Sequence, residues 1–162
     1  MILYKLYLLY RSLPSVAQFQ YWEPYTKEDA LNFVDRCRNT DLNSREEWIG
    51  LIIIQKANGS IIGDCALKIE KETAEIGWNI SPEYQKQGFA KVVLFLLINY
   101  CFHMNNICKV FGITDSKNDA SIHLMESVGM IKDPSFEEIL ECKGLPCIEH
   151  KYVIEKENQQ IR

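Results

Sequence analysis

The chain has 162 residues, with 18 Lys plus Arg, 22 Asp plus Glu and a formal net charge of -4. That length and its 47% hydrophobic content predict one soluble domain over 1–162, with a polar tail over 155–162. The acidic excess and the lack of a basic block argue against nucleic-acid binding, and no apolar run of about 18 residues predicts a membrane span.

Leu3, Leu6, Tyr7, Tyr10 and Leu13 fall at helical spacing, so a helix is expected over 3–13, with Pro14 ending it. Lys5 and Arg11 interrupt this apolar stretch. It has no basic lead-in or small-residue cleavage site, so it is a poor signal peptide and the expected location is cytoplasmic. Val16 to Pro24 reads as irregular and aromatic. Thr26, with Asp29 three residues on, predicts a helix start, although a capping box favours Glu or Gln at that place.

Strands follow. Trp48 to Gln55 and Ser60 to Ile69 flank Asn58-Gly59, a strong hairpin signal. Ala74 to Ile80 is the third strand of an antiparallel meander, with Ile76, Trp78 and Ile80 on one face. Beyond Gly88 the period changes: Val92, Val93, Leu96, Leu97, Tyr100 and Cys101 predict the apolar face of a helix. Cys108 to Thr114 reads as a strand, and Ala120 to Ser127 as a short helix closed by Gly129. Phe136 to Leu140 and Ile148 to Ile154 read as strands around Lys143-Gly144. The order predicts an α+β fold. The six cysteines and three histidines show no zinc spacing, so no metal is expected; Cys65 and Cys101 read as small buried hydrophobes.

The informative stretch is Gln85-Lys86-Gln87-Gly88-Phe89-Ala90, between a strand and a long helix. A glycine there leaves backbone N–H groups uncovered at the helix start, which suits phosphate; the same glycine also suits a plain tight turn. Neither GxxxxGK[ST] nor GxGxxG is present. Gln85-x-x-Gly88-x-Ala90 resembles the acyl-CoA pyrophosphate loop of the Gcn5-related N-acetyltransferases (GNAT). Two flanking stretches extend the likeness: Ala74-Glu75-Ile76-Gly77-Trp78, and Asn118-x-x-Ser121-x-x-Leu124-Met125-Glu126-x-x-Gly129-Met130. It covers about residues 16 to 154. Val16 with Tyr21-Trp22-Glu23-Pro24, and Asn118 with Ser121, are similar to the branch holding the ribosomal-protein alanine and serine N-acetyltransferases.

The resemblance implies a three-layer α/β/α acyl-CoA N-acyltransferase fold. Its central sheet is mixed and mostly antiparallel, with splayed central strands. It further implies acetyl-CoA as co-substrate, no metal, and direct attack of an amine on the thioester in a ternary complex. The acceptor is a small-molecule amine or a protein N-terminus, and a homodimer is possible in this family. Backbone amides of Gln85, Lys86, Gln87, Gly88, Phe89 and Ala90 are expected to hold the pyrophosphate; the Lys86 side chain is either a phosphate contact or a surface lysine. Ile80 is expected to pair with the pantetheine arm, and Asn118 to bond that arm or cap the helix.

Ser121 is expected to protonate the leaving thiolate, or else to bond backbone at a helix start. Many members carry Tyr where this chain has Met125, so a non-catalytic acyl-CoA-binding or sensing module is the alternative. Glu75 is the expected general base, with a solvated glutamate as the alternative, and His123 reads as surface or packing. Tyr21, Trp22, Trp78 and His150 are expected to border the acceptor site, or to serve as core. Members of the branch open with a strand before the first helix; that first strand is expected to be missing here.

Overall fold

The structure, a computed structural model, describes residues 8–104 and 106–158. The helix expected over 3–13 lies partly outside them; residues 8–11 are helical. Pro14 does not merely end that helix. It opens a second one, α1 (Pro14–Ala17), at a first-turn position where a missing N–H costs nothing. In α2 (Lys27–Asn39), the Thr26 hydroxyl accepts from the Asp29 N–H, and the Asp29 carboxylate accepts from the Thr26 N–H. Aspartate therefore completes the box that glutamate usually fills.

Among the described residues, six strands form one sheet: β1 (Trp48–Ile54), β2 (Ile61–Glu70), β3 (Thr73–Ile80), β4 (Lys109–Asp115), β5 (Ile131–Cys142) and β6 (Leu145–Glu155). Their order is β1-β2-β3-β4-β6-β5. Every neighbouring pair is antiparallel except β3 with β4. The last two strands run further than the sequence pattern suggested; at the hairpin end this is because Lys143 (φ 54) and Gly144 (φ 76) both adopt positive φ. Two such residues make a tight hairpin that carries pairing up to its tip.

Two further helices, α3 (Phe89–His103) and α4 (Asp119–Ser127), cover one sheet face. The core there joins Ile49, Leu67 and Ile76 of the sheet to Leu94, Leu97 and Ile98 of α3. Each such side chain contributes about 1.5–3 kcal/mol on burial. The expected apolar face of α3 was rotated. Leu97 and Cys101 are buried, but Val92, Leu96 and Tyr100 are exposed, and Leu94, Ile98 and Phe102 take their place. The helix is apolar almost all round, so its sequence carried little information on which side faces inward. On the other sheet face α2 sits over β1, with Phe33 and Cys37 close above Gly50.

One feature of the sheet positions the site. β3 and β4 pair only over Thr73↔Lys109, Ala74↔Val110 and Glu75↔Phe111. β3 continues to Ile80 against β2, while β4 continues to Asp115 against β6. From Ile76 onward the two central strands diverge and a wedge opens through the sheet.

Candidate active site

A cleft of about 880 Å³ occupies this wedge and the face under α2. Trp78 and Asn79 of β3 line one side, and Ile113, Thr114 and Asp115 of β4 the other. Asn118 and Ser121 border it from α4. The Asn118 side-chain oxygen accepts from the Ser121 N–H at 3.3 Å, so Asn118 is a helix cap in this structure. Tyr21 and Trp22 wall the cleft from the α1–α2 connection. Trp78 both lines the cleft and packs on the core.

At the end of β3 the loop is braced by its own side chains. The Gln85 side-chain amide donates to the Ile80 carbonyl at 2.9 Å, and that of Gln87 donates to the Glu83 carbonyl at 2.8 Å. Lys86 (φ 59) and Gly88 (φ 85) are left-handed, and Gly88 is the N-cap of α3. A left-handed N-cap without a side chain leaves the first helical N–H groups uncommitted. The Gln85 N–H is already spent on the Pro82 carbonyl at 3.3 Å. The amides open for an anion therefore begin after Gln85.

The cleft is acidic. Asp35, Asp41, Glu47, Asp64, Asp115 and Glu149 line it, against Arg11 and Arg36. Two of these carboxylates are buried, and the sequence reading named neither. Asp64 (2% exposed) is saturated: it takes the Tyr10 hydroxyl, two nitrogens of Arg11 and the Asn79 amide. The Arg11 guanidinium lies 4.3 Å from the centre of the Trp22 ring, with Tyr25 and Phe33 also close. Glu149 (7% exposed) accepts the Tyr21 hydroxyl on Oε1. Burial first, and then this bond, push the Tyr21 phenol up, so it remains a donor. The sequence signals existed: Asp64 interrupts the run Ile61-Ile62-Gly63-Asp64-Cys65-Ala66-Leu67, and Arg11 interrupts an apolar helix.

Glu75 and His150 are not among the cleft-lining residues. Glu75 sits where β3 and β4 still pair, across from Lys68. Burial pushes its carboxyl up while Lys68 pulls it down. His150 follows Glu149, and strand alternation turns it to the other face, where its Nε2 lies 3.4 Å from Glu137. Met125 is fully buried in the core, beneath Gly112.

Residues 4–131 match the model of the acetyltransferase (GNAT) domain family. The uncharacterized N-acetyltransferase YnaD of Bacillus subtilis is 25% identical over 123 residues, covering 72% of this chain and 66% of that protein. A spermidine N(1)-acetyltransferase of Vibrio cholerae is 28% identical over 119 residues, covering 70% and 65%. The chain thus spans about two thirds of the length of both relatives. The crystal structure of spermidine N-acetyltransferase from Vibrio cholerae in complex with CoA and spermine shares the fold, with a TM-score of 0.79 and 17% identity; the match covers 96% of this chain and 91% of that one.

The chain belongs to the GNAT acetyltransferase domain family. Acetyl-CoA-dependent N-acetyl transfer is the chemistry of that class, and the splayed sheet expected from the resemblance is present.

Proposed function

We propose that this protein transfers the acetyl group of acetyl-CoA to a primary amine on a small cationic molecule, by direct attack in a ternary complex. The observation that carries this reading is an acidic cleft opening into the wedge between β3 and β4. Carboxylates there attract an ammonium, while the wedge admits a thioester from the helix-covered side. Relatives named as spermidine acetyltransferases support the same acceptor class.

In this reading the amides of Gln87, Gly88, Phe89 and Ala90 hold the pyrophosphate at the start of α3, with Lys86 beside it. The free edge of β3 up to Ile80 receives the pantetheine arm, and Asn118 borders it. Holding amine and thioester together supplies much of the rate gain without a covalent enzyme intermediate. Ser121, at the wedge, passes a proton to the departing thiolate. Trp22, Tyr21 and Trp78 wall the acceptor.

Two narrower points belong to the proposal. The Tyr21-Trp22-Glu23-Pro24 motif supports the ribosomal-protein-like branch, whose acceptors include protein N-termini; the Tyr21 hydroxyl bonded to Glu149 at the cleft favours a small acceptor. The six free thiols support a reducing compartment, the cytoplasm. A second reading, a non-catalytic acyl-CoA binder, is favoured by Met125 standing in the core where many members carry a tyrosine.

Free thiol released from acetyl-CoA in the presence of alkyl diamines tests the main reading. Release that depends on the amine is expected. Tight acetyl-CoA binding without release, across diamines and peptide N-termini, favours the second reading.

A further inference from the structure

We infer that Glu149 is the catalytic carboxylate of the acceptor side, taking the proton of the incoming ammonium while Tyr21 holds it in place. This rests on the acetyl-transfer reading above and assigns a role that the sequence alone gave to Glu75.

Burial separates two carboxylates of the cleft from the four that are more exposed. Of the two buried carboxylates, Asp64 has both oxygens filled by Tyr10, Arg11 and Asn79. Glu149 has one oxygen on the Tyr21 hydroxyl, and among the described residues no donor meets the other. A buried carboxylate with an unused oxygen beside a cleft is fit to accept an N–H. Its position suits the task. Glu149 is the register partner of Asp115, at the end of β4, and β4 forms one wall of the wedge. Glu75 lies where the strands have not yet parted.

The support around Glu149 is specific. Tyr21 is 67% exposed, yet its hydroxyl reaches back onto a residue that is buried. The segment carrying Tyr21 is tied to the β5–β6 hairpin at two more points: Lys143 Nζ donates to the Ala17 carbonyl at 2.6 Å, and Cys142 Sγ lies 3.8 Å from the Gln20 carbonyl. Residues 17–21 thus form a strap across the cleft, and Tyr21 is a positioning residue that fixes the Glu149 rotamer.

The ammonium gives one proton to Glu149 and becomes a neutral amine. Its lone pair forms the C–N bond, the C–S bond breaks, and the electron pair leaves on sulfur. The tetrahedral nitrogen sheds its second proton to the thiolate by way of Ser121 or water. Glu149 returns its proton to solvent.

The test compares two acceptors, an alkylamine with a pKa of about 10.4 and an α-amine such as glycinamide with a pKa of about 8. For Glu149→Gln, kcat/KM for the alkylamine should fall about 10²-fold or more, the size of a lost proton transfer. The fall should be at least tenfold smaller for the α-amine, which is already partly neutral. Acetyl-CoA affinity should stay within about twofold, because the phosphate loop is not touched. Tyr21→Phe should show a smaller loss with the same dependence on acceptor pKa. If Glu149→Gln does not fold, Glu149→Asp withdraws the charge by one methylene and should show the pattern in milder form.

An equal loss for both acceptors overturns the proposal. So does a loss in Glu75→Gln that exceeds that of Glu149→Gln for the alkylamine. If the wild-type protein releases no thiol with either amine, the acetyl-transfer reading and this role fall together. If it turns over and Glu149→Gln matches it, only this role falls.

Discussion

Arg11 shows how one side chain can join the amino-terminal segment to the sheet. Its guanidinium is ion-paired with Asp64 and enclosed by Trp22, Tyr25 and Phe33. Both charges are buried, so their value lies in mutual completion: removing one strands the other in a poor solvent. Arg11→Met should therefore cost about 3–5 kcal/mol in urea unfolding, whereas an exposed pair such as Lys109 with Glu155 should cost about 1 kcal/mol or less. Two buried thiols add a pH signature. Burial raises Cys65 and Cys101 to about 12. Above pH 9.0, the ordinary value for a free thiol, the unfolded chain loses those protons while the folded chain keeps them. The unfolded state then binds fewer protons, so stability should fall as pH rises from 9 toward 12, by about 1.4 kcal/mol per unit for each thiol. A Cys65→Ala, Cys101→Ala double variant followed by urea unfolding at pH 8 and pH 10 should show a flatter profile.

At the scale of elements, the loop from Ile80 to α3 and the parting of β3 from β4 do most to shape the site. Gly88 sits at φ 85 with open space where a Cβ would project. Gly88→Val therefore meets no clash; its penalty comes from the left-handed backbone, which a β-branched residue resists. The helix start should shift, and KM for acetyl-CoA should rise about tenfold or more, while kcat at saturation changes less. The loop was legible in the sequence from a contiguous motif, as were a hairpin and a helix start, whereas the parting of β3 from β4 was expected only through the family resemblance. Gln85-x-x-Gly88-x-Ala90 is contiguous, Asn58-Gly59 is a turn signal, and Thr26 with Asp29 is a cap. What was not legible depends on long-range geometry. Glu149 and His150 are adjacent, and only the register of β6 against β4 decides which one faces the cleft. The rotation of α3 was hidden because an all-round apolar helix offers no contrast. The Asp64–Arg11 pair joins residues 53 positions apart, and no local pattern announces it.

On the scale of the whole molecule, the net charge of -4 says less than its placement. Six carboxylates gather in the lining of the cleft, while the loop from Gln85 to Ala90 lies at the end of β3 beyond that lining. Attraction of a cationic acceptor into this cleft should be screened by salt. KM for a diamine should rise severalfold between about 0.05 and 0.5 M ionic strength, because the Debye length shrinks from roughly 14 to roughly 4 Å. A neutral acceptor of similar size should show little change. The strands at the two sides of the sheet, β1 and β5, each have one neighbour among the described residues. Such edges support the homodimer as a proposal, which sedimentation tests.

In the proposed function the wedge and the acidic cleft together move an acetyl group from acetyl-CoA to a cationic amine. Incubating the wild-type protein with acetyl-CoA and an alkyl diamine, and measuring released CoA thiol and N-acetylated diamine together, tests that transfer. The two should appear in equal amounts, at a rate that saturates in both substrates. Acetyl-CoA bound by the protein with neither product formed, at any amine concentration, would contradict it.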